Sequence, residues 1–201
     1  MISKLEHQEE ISLFPLQTVL FPGNKLPLRI FEPRYVDLIG RCMREQKRFG
    51  IVAIEKGQEA GEIPQIFAVG TDVDIVDFDQ GQDGFLNIVI EGQERFTVNT
   101  TQTKEDNLLV AAVSYLPKLL GPGETGHYRA LDAIFAQLLI HPELSDRISD
   151  TNDHLEMAFQ VIPWLPLSQT SKVELLAAET GIELLSSLET YLAKISKENR
   201  P

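Results

Sequence analysis

The chain has 201 residues, of which 43% are hydrophobic and 24% are charged, and it carries a formal net charge of -12. This composition is typical of a soluble globular protein that is large enough to fold without a disulfide or metal staple. Its apolar runs are much shorter than the roughly 18 residues that a membrane span needs, so we expect no membrane association.

Cysteine usage and the N-terminus indicate the compartment. Cys42 is the single cysteine and cannot form an internal disulfide. It falls on the apolar face of a predicted helix, where a buried, inert thiol is expected. The first ten residues are acidic and lack the apolar core of a secretory signal. Together these features predict a cytoplasmic protein.

Prolines divide the first segment, residues 13–48, into kinked strands followed by a helix. Pro15, Pro22 and Pro27 each remove a backbone donor, which favours bends and edge strands over the centre of a regular sheet. Pro33 lies where a first helical position is expected, and the helix is predicted to run to about Arg48. Its apolar face recurs at helical spacing and comprises Tyr35, Leu38, Ile39, Cys42 and Met43.

Residues 49–116 alternate between apolar and polar positions, which predicts half-buried β-strands. In the run from Thr71 to Ile75, Asp72 and Asp74 alternate with Val73 and Ile75, so both carboxylates are expected on one solvated face. Strands joined by turns without intervening helices favour antiparallel hairpins in a barrel or sandwich.

The pattern changes after Pro117. Residues 117–126 include Gly121, Pro122 and Gly123, a composition typical of a linker between domains. Helical periodicity follows, with Asn152 or Asp153 and then Ser168 as candidate caps, and predicts a small helical bundle. The chain is thus expected to be an α+β protein with a β-rich domain over residues 1–117 and a helical domain over residues 124–201.

Charge is distributed unevenly. Residues 55–106 contain twelve acidic and three basic side chains, whereas residues 25–48 contain seven basic and three acidic ones. Both runs are typical of solvated faces. The dominant negative charge disfavours binding to nucleic acid, because phosphate groups are repelled.

No catalytic or cofactor-binding pattern is found. Residues 121–128 have the two glycines of a phosphate loop, but the lysine and hydroxyl that hold phosphates and Mg²⁺ are missing. The histidines show no spacing typical of metal ligands, and no nucleophile lies beside a base. We expect no metal, no cofactor and no enzymatic activity.

The first segment resembles the N-terminal, substrate-binding domain of Lon proteases. The family signature is a P-L-x-x-x-V-L-F-P-G-x-x-x-P-L-x-I-F-E-x-R-Y run. Matching positions are Pro15, Leu16, residues 19–23, Pro27, Leu28, residues 30–32, Arg34 and Tyr35. Weaker matches follow in family order at residues 49–52, 69–71, 91–96, 165–167 and 172–176.

The resemblance implies an N-terminal PUA-like antiparallel β pseudo-barrel with one amphipathic helix, followed by a C-terminal α-helical bundle. Full-length Lon proteases also carry ATPase and Ser-Lys peptidase modules, which have no counterpart in these 201 residues. The implied function is therefore non-catalytic recognition of protein or peptide. Such a module would be an adaptor or holdase for unfolded or degron-bearing polypeptides, with a protease or chaperone as a further candidate partner.

A peptide-binding edge is predicted from exposed apolar groups beside the basic helix, at Leu20, Phe21, Pro22, Phe31, Arg34 and Arg41. Two structural alternatives stand beside it: the apolar residues belong to the core, and Arg34 pairs with Glu32 next to Tyr35. Two other functions are also considered, a PUA-like RNA-binding module and a small-molecule-binding protein that uses a cleft between barrel and bundle.

Overall fold

A computed structural model describes residues 9–59, 61–81, 85–121 and 128–198 of the chain. The chain divides into two compact units, Met1–Leu116 and Pro117–Pro201. In the first unit the elements are β1 (Glu9–Leu16), β2 (Lys25–Ile30), α1 (Pro33–Glu45), β3 (Phe49–Lys56), β4 (Gln65–Gln80), β5 (Leu86–Thr103) and β6 (Leu109–Tyr115).

The six strands form one mixed sheet in the order β2-β5-β4-β3-β1-β6. The second half of β5 also pairs with β6, from Phe96 with Tyr115 to Thr103 with Leu109. Five strands therefore close into a ring, and β2 is attached outside it to the first half of β5. Closure removes the free edges that an open sheet would leave.

The prediction of a purely antiparallel barrel is wrong at one strand pair. β1 and β3 are parallel, with Leu13 opposite Gly50 and Leu16 opposite Ala53. The reason is the connection, because β2 and α1 intervene and return the chain so that β3 runs in the direction of β1. The fold class, α+β, is as expected.

The prolines occupy positions where a missing donor is tolerated. Pro27 lies in β2, which among the described strands pairs with β5 alone and so has one edge without a described partner. Pro15 lies near the end of β1, beyond Leu13, where the pairing with β6 stops. β1 itself runs between β3 and β6, so only its last residues have the edge character that the prolines predicted.

Helix α1 begins at Pro33, as predicted, and ends at Glu45, three residues before the predicted end. Gln46 adopts a left-handed conformation with φ of 52° and terminates it. The helix buries Tyr35, Leu38, Ile39 and Cys42 against the inner face of the sheet. Met43 was predicted on this face but is exposed.

Cys42 is buried, as predicted, and burial raises the pKa of its thiol. A thiol that is shielded and protonated at neutral pH is a weak nucleophile. Cys42 therefore contributes to packing between α1 and the sheet.

The second unit is helical in its described residues. It contains α2 (Arg129–Leu139), α3 (His154–Val161), α4 (Gln169–Leu176) and α5 (Gly181–Glu198), with short 3-10 turns at Ser145–Arg147 and Ile162–Trp164. Helix α5 contacts the other three helices, and α2 also contacts α3. Residues 122–127 of the predicted linker lie outside the described part of the chain.

Side chains at the predicted caps hold two helix N-termini. Asp153 accepts hydrogen bonds from the backbone N–H groups of Leu155 and Glu156 at the start of α3. Ser168 accepts one from the N–H of Ser171 at the start of α4. Both residues satisfy donors that have no partner within the helix.

Candidate functional site

Two residues of the predicted peptide-binding edge lie in the core. Leu20 is buried and Phe21 has 0% of its surface exposed. The hydroxyl of Thr71 donates to the Leu20 carbonyl at 2.7 Å, and the N–H of Gly23 donates to the Gly92 carbonyl at 2.8 Å. These bonds hold the segment against β4 and β5. The assignment of Leu20 and Phe21 to a binding surface is therefore corrected, and they are core residues, because an enclosed side chain cannot contact a partner.

Arg34 is also buried and makes structural contacts. Its Nη1 donates to the Asn107 carbonyl at 3.0 Å, its Nη2 lies 2.8 Å from Glu32, and its guanidinium lies over the Tyr35 ring. The structural alternative, in which Arg34 pairs with Glu32, is thus confirmed. The prediction that Arg34 contacts a client directly is corrected, because its side chain is buried. A buried arginine is held in this way because its charge must be paired or hydrogen-bonded.

The remaining predicted residues reach the surface to different extents. Pro22 and Arg41 are half-buried, whereas Phe31 is 58% exposed. The Phe31 ring meets the ring of Phe85 edge-on at 6.2 Å. The guanidinium of Arg29 stacks over the same Phe85 ring, 4.4 Å from the ring centroid. Phe31 therefore belongs to an aromatic cluster at the end of β2 and not to the segment around Phe21.

An open groove of about 360 Å³ begins beside this cluster. It runs across three neighbouring strands and is lined by residues 27–29 of β2, 77–79 of β4 and 87–89 of β5. The register places Leu28, Ile88 and Phe78 in one row across these strands, and Arg29, Asn87 and Asp79 in the next row. Arg29 links the groove to the aromatic cluster.

Exposed apolar surface lies at the groove. Phe78 is 58% exposed and its neighbour Val76 is 45% exposed. Large apolar side chains exposed together on a grooved surface are typical of an interaction site. Asp77 and Asp79 precede and follow Phe78 in β4 and are exposed, and because side chains alternate along a strand they point to the face opposite that of Phe78. The Asp77 carboxylate accepts a hydrogen bond from the Phe78 N–H at 2.9 Å.

The sequence contained a signal for an irregularity just before Phe78, but the alternating apolar and polar pattern of the strand obscured it. Ile75 and Val76 are consecutive apolar residues and interrupt the alternation. The structure has an irregularity in the pairing of β4 with β5 between Ile75 and Asp77. Such a bulge redirects the following side chains and is common next to functional surfaces.

A second set of polar residues, expected to be solvated, is instead an ion-pair network. Asp72 is 1% exposed and accepts hydrogen bonds from the Glu94 N–H at 2.6 Å, the Tyr115 hydroxyl at 3.2 Å and Arg48 at 3.3 Å. Arg48 also contacts Asp74 at 3.0 Å. The expectation that Asp72 is solvated is wrong because β5 bulges opposite it, and the carboxylate satisfies the N–H left unpaired there.

Burial is the main influence on the pKa values of two groups of this network, Asp72 and Tyr115. It raises the pKa of Asp72, and it also raises that of Tyr115, to which the nearby Asp72 charge contributes. The carboxylates around Arg48 raise the pKa of its guanidinium, with the hydrogen bond to Asp74 as the main cause. The geometry describes a structural network that closes the bulge, with each charged group facing an opposite charge.

The helical unit has a smaller groove of about 290 Å³ between α4 and α5. There the Tyr191 hydroxyl donates to Glu174 at 3.0 Å. No predicted site residue lines it. Among the described residues, no group of histidine, cysteine, aspartate and glutamate side chains is arranged to hold a metal ion. In the same part of the chain, no helix combines the length and apolar character that crossing a bilayer requires.

Comparisons with known proteins agree on one kind of domain. A solved Lon N-terminal domain protein from Xanthomonas campestris is 30% identical, with a TM-score of 0.71, and the match covers 92% of this chain and 98% of that one. The Lon protease of Amoebophilus asiaticus is 24% identical over 202 residues, and that of Parabacteroides distasonis is 30% identical over 110 residues.

These matches cover 94% and 54% of this chain, but only 24% and 13% of the two proteases. The chain therefore spans a quarter or less of the length of these curated relatives. The family model of the ATP-dependent protease La (LON) substrate-binding domain matches residues 10–194. Because this match includes both units, the chain belongs to the Lon substrate-binding domain family.

Proposed function

We propose that the chain is a non-catalytic module that recognises unfolded or degron-bearing polypeptides, as an adaptor or holdase. The observation that carries the proposal is the exposure of Phe31 and Phe78 at an open groove of a domain whose family is described as substrate-binding. An extended chain can insert an apolar side chain into such a groove without first forming a structure of its own.

The proposal includes an architecture. The closed five-strand ring with β2 is a PUA-like pseudo-barrel, and helices α2 to α5 form a bundle in a separate domain. The ring closure and the contacts of α5 with the other helices support this description. A protease or chaperone that receives the client is the proposed partner, since the relatives include Lon proteases.

Binding to the groove uses side chains more than main-chain pairing. β2 has a free edge, but Pro27 has no N–H to donate to an added strand. Apolar contacts with Phe78 and the Phe31 cluster then supply most of the binding free energy, which scales with the apolar area removed from water.

The test measures binding of a reduced, carboxymethylated protein that stays unfolded. Replacing Phe31 and Phe78 together by serine is expected to weaken binding by about tenfold or more, because two apolar contacts are lost. Both side chains are largely exposed, so the free energy of unfolding should change by less than about 1 kcal/mol.

The matched control replaces Leu120 and Ile140 by serine. These residues are 78% and 81% exposed but lie in the helical unit. Their substitution removes comparable exposed apolar surface and should leave binding unchanged. Equal affinities of the wild type and the Phe31/Phe78 variant would contradict the proposed surface, and absence of binding by the wild type would contradict the function.

A further inference from the structure

The end of the hairpin formed by β4 and β5 extends beyond the ring and has an open edge. β3 pairs with β4 only as far as Val73, opposite Phe49, whereas β5 pairs with β4 as far as Gln80. Residues 76–80 are all exposed, although side chains alternate between two faces along a strand. No described strand pairs with β4 on this side, so the edge is open to an added strand.

Backbone groups of Phe78 and Gln80 point toward this open edge. The Gly81 N–H donates to the Phe85 carbonyl at 2.9 Å. Hydrogen-bonded and non-hydrogen-bonded pairs alternate along an antiparallel ladder. The N–H and C=O groups of Gln80 and Phe78, which lie one and three positions before Gly81, are therefore directed away from β5.

The hydrogen bond made by the Phe78 N–H agrees with this orientation. It donates at 2.9 Å to the carboxylate of the preceding residue, Asp77, and not to β5. A backbone N–H needs a hydrogen-bond partner, and inside a sheet the carbonyl of the next strand provides it. The Asp77 carboxylate takes that role here, and because its side chain is exposed it can rotate away when a strand is added.

We propose that an extended segment of a client polypeptide adds to β4 as a new strand at residues 76–80. The inference rests on the proposed function and specifies the conformation in which the client binds. The client main chain pairs with Phe78 and Gln80, and its carbonyl replaces the Asp77 carboxylate as acceptor of the Phe78 N–H. β2, at the other side of β5, offers a poorer edge, because Pro27 has no N–H to donate.

The two faces of β4 determine which client segments fit this edge. Phe78 lies on the same face as the buried Ile88, whereas Asp77 and Asp79 point to the opposite face. Neither aspartate forms an ion pair with a described residue. Side chains of paired strands lie beside each other on each face. The client strand should therefore place apolar side chains beside Phe78 and, at alternate positions, lysine or arginine beside the aspartates.

A second copy of the chain is a poor occupant of the edge. Antiparallel pairing of two β4 strands, centred on Phe78, would place Asp77 of each copy opposite Asp79 of the other. Like charges at opposite positions destabilise a strand pair. The aspartates thus disfavour self-association and favour a basic client.

The test measures binding of labelled peptides to the full chain by fluorescence anisotropy. A peptide in which leucine and lysine alternate should bind about tenfold more tightly than one with the same composition in two blocks, which cannot match both faces. In the alternating peptide, N-methylation of all leucines or of all lysines removes the N–H groups from one edge of the strand. One of these two modifications should weaken binding about tenfold or more, and the other should leave it unchanged, because only one edge faces β4.

The protein variant for this test is Gln80→Pro. It removes an N–H that points to the open edge, keeps the ladder bonds to β5, and should weaken binding of the alternating peptide about tenfold. Gln80→Ser is the matched control, since it retains the N–H and should bind as the wild type does. Both variants should unfold at the urea concentration of the wild type.

Three outcomes would overturn strand addition. They are equal affinities of the two N-methylated peptides, full binding by folded Q80P, and a wild-type dimer that Q80P converts to a monomer, which would make a second copy the occupant. The proposed function survives each of them as long as the carboxymethylated protein binds. If neither that protein nor any peptide binds, the proposed function fails, and the inference fails with it.

Discussion

Among the described residues of the β-rich unit, three charged side chains are buried, Arg34, Asp72 and Arg95. Removing a charge from water is costly unless the group is paired or hydrogen-bonded. Arg34 is held by Glu32 and the Asn107 carbonyl, and Asp72 by three donors. Burial lowers the pKa of Arg95. None of these residues lines the groove, so their role is to stabilise the fold.

The titration of Asp72 predicts a pH-dependent stability. Burial raises its pKa above the ordinary value of 3.8, so the folded state binds the proton more tightly than the unfolded chain. The free energy of unfolding should therefore fall as pH rises from about 4 through the raised pKa. Asp72→Asn removes this ionisation and keeps an oxygen that can accept from the Glu94 N–H.

Urea denaturation at several pH values between about 4 and 7 checks this prediction. Relative to the wild type, D72N should gain stability with rising pH, whereas D37N, at an exposed position, should run parallel to the wild type. If D72N instead loses stability relative to the wild type as pH rises, the hydrogen bonds and Arg48 outweigh the cost of burying the carboxylate.

At the scale of elements, the attachment of β2 to β5 determines the groove, because both strands line it. The turn before β2 is fixed to β5 by two backbone hydrogen bonds, from Gly23 to Gly92 at 2.8 Å and from Gly92 to Asn24 at 3.0 Å. A Cβ atom at Gly92 would lie 2.5 Å from the Phe21 carbonyl oxygen. Glycine is needed here so that the two backbones can approach.

Gly92→Ala should separate the turn from β5. We expect a loss of about 1–3 kcal/mol in the free energy of unfolding, since backbone atoms cannot move aside as a side-chain end can. Peptide binding to the groove should weaken as well.

Gly40→Ala is the matched control, measured in the same urea titrations. Gly40 lies within α1, and its added Cβ would make an ordinary contact of 3.5 Å with Arg44. There the substitution should stabilise the protein by about 0.5–1 kcal/mol, because alanine favours the helix. A stable G92A variant with full binding would show that the turn can shift without cost.

At the scale of the whole molecule, the β-rich unit contains the elements that a separate domain needs. Its sheet closes on itself, and the two buried clusters of its described part consist of residues between Ile11 and Val113. The groove residues all fall within the same unit. We therefore expect residues 1–117 to fold without the helical unit.

The fragment comprising residues 1–117 should unfold in a single cooperative transition, followed by circular dichroism. It should also bind the reduced, carboxymethylated protein with the affinity of the full chain, within about threefold. A fragment without a cooperative transition, or one that is folded but does not bind, would show that the helical unit is required for the fold or for the site.

Local sequence determined the features that depend on neighbours along the chain. Pro33 begins α1 because its fixed φ suits a first helical turn, and Asp153 and Ser168 cap their helices because their side chains reach N–H groups two or three residues ahead. The Lon signature in residues 15–35 indicated the family that the full comparison established.

Tertiary structure decided which of the candidate residues reach solvent. Phe21 and Phe31 stand in similar proline-rich, apolar surroundings in the sequence, yet one is enclosed and the other exposed. Asp72 was expected on a solvated face but is buried, because β5 bulges opposite it, and a second irregularity precedes the exposed Phe78. Bulges and strand order depend on contacts between residues distant in sequence, and for that reason periodicity predicted the strands but not the groove that they form.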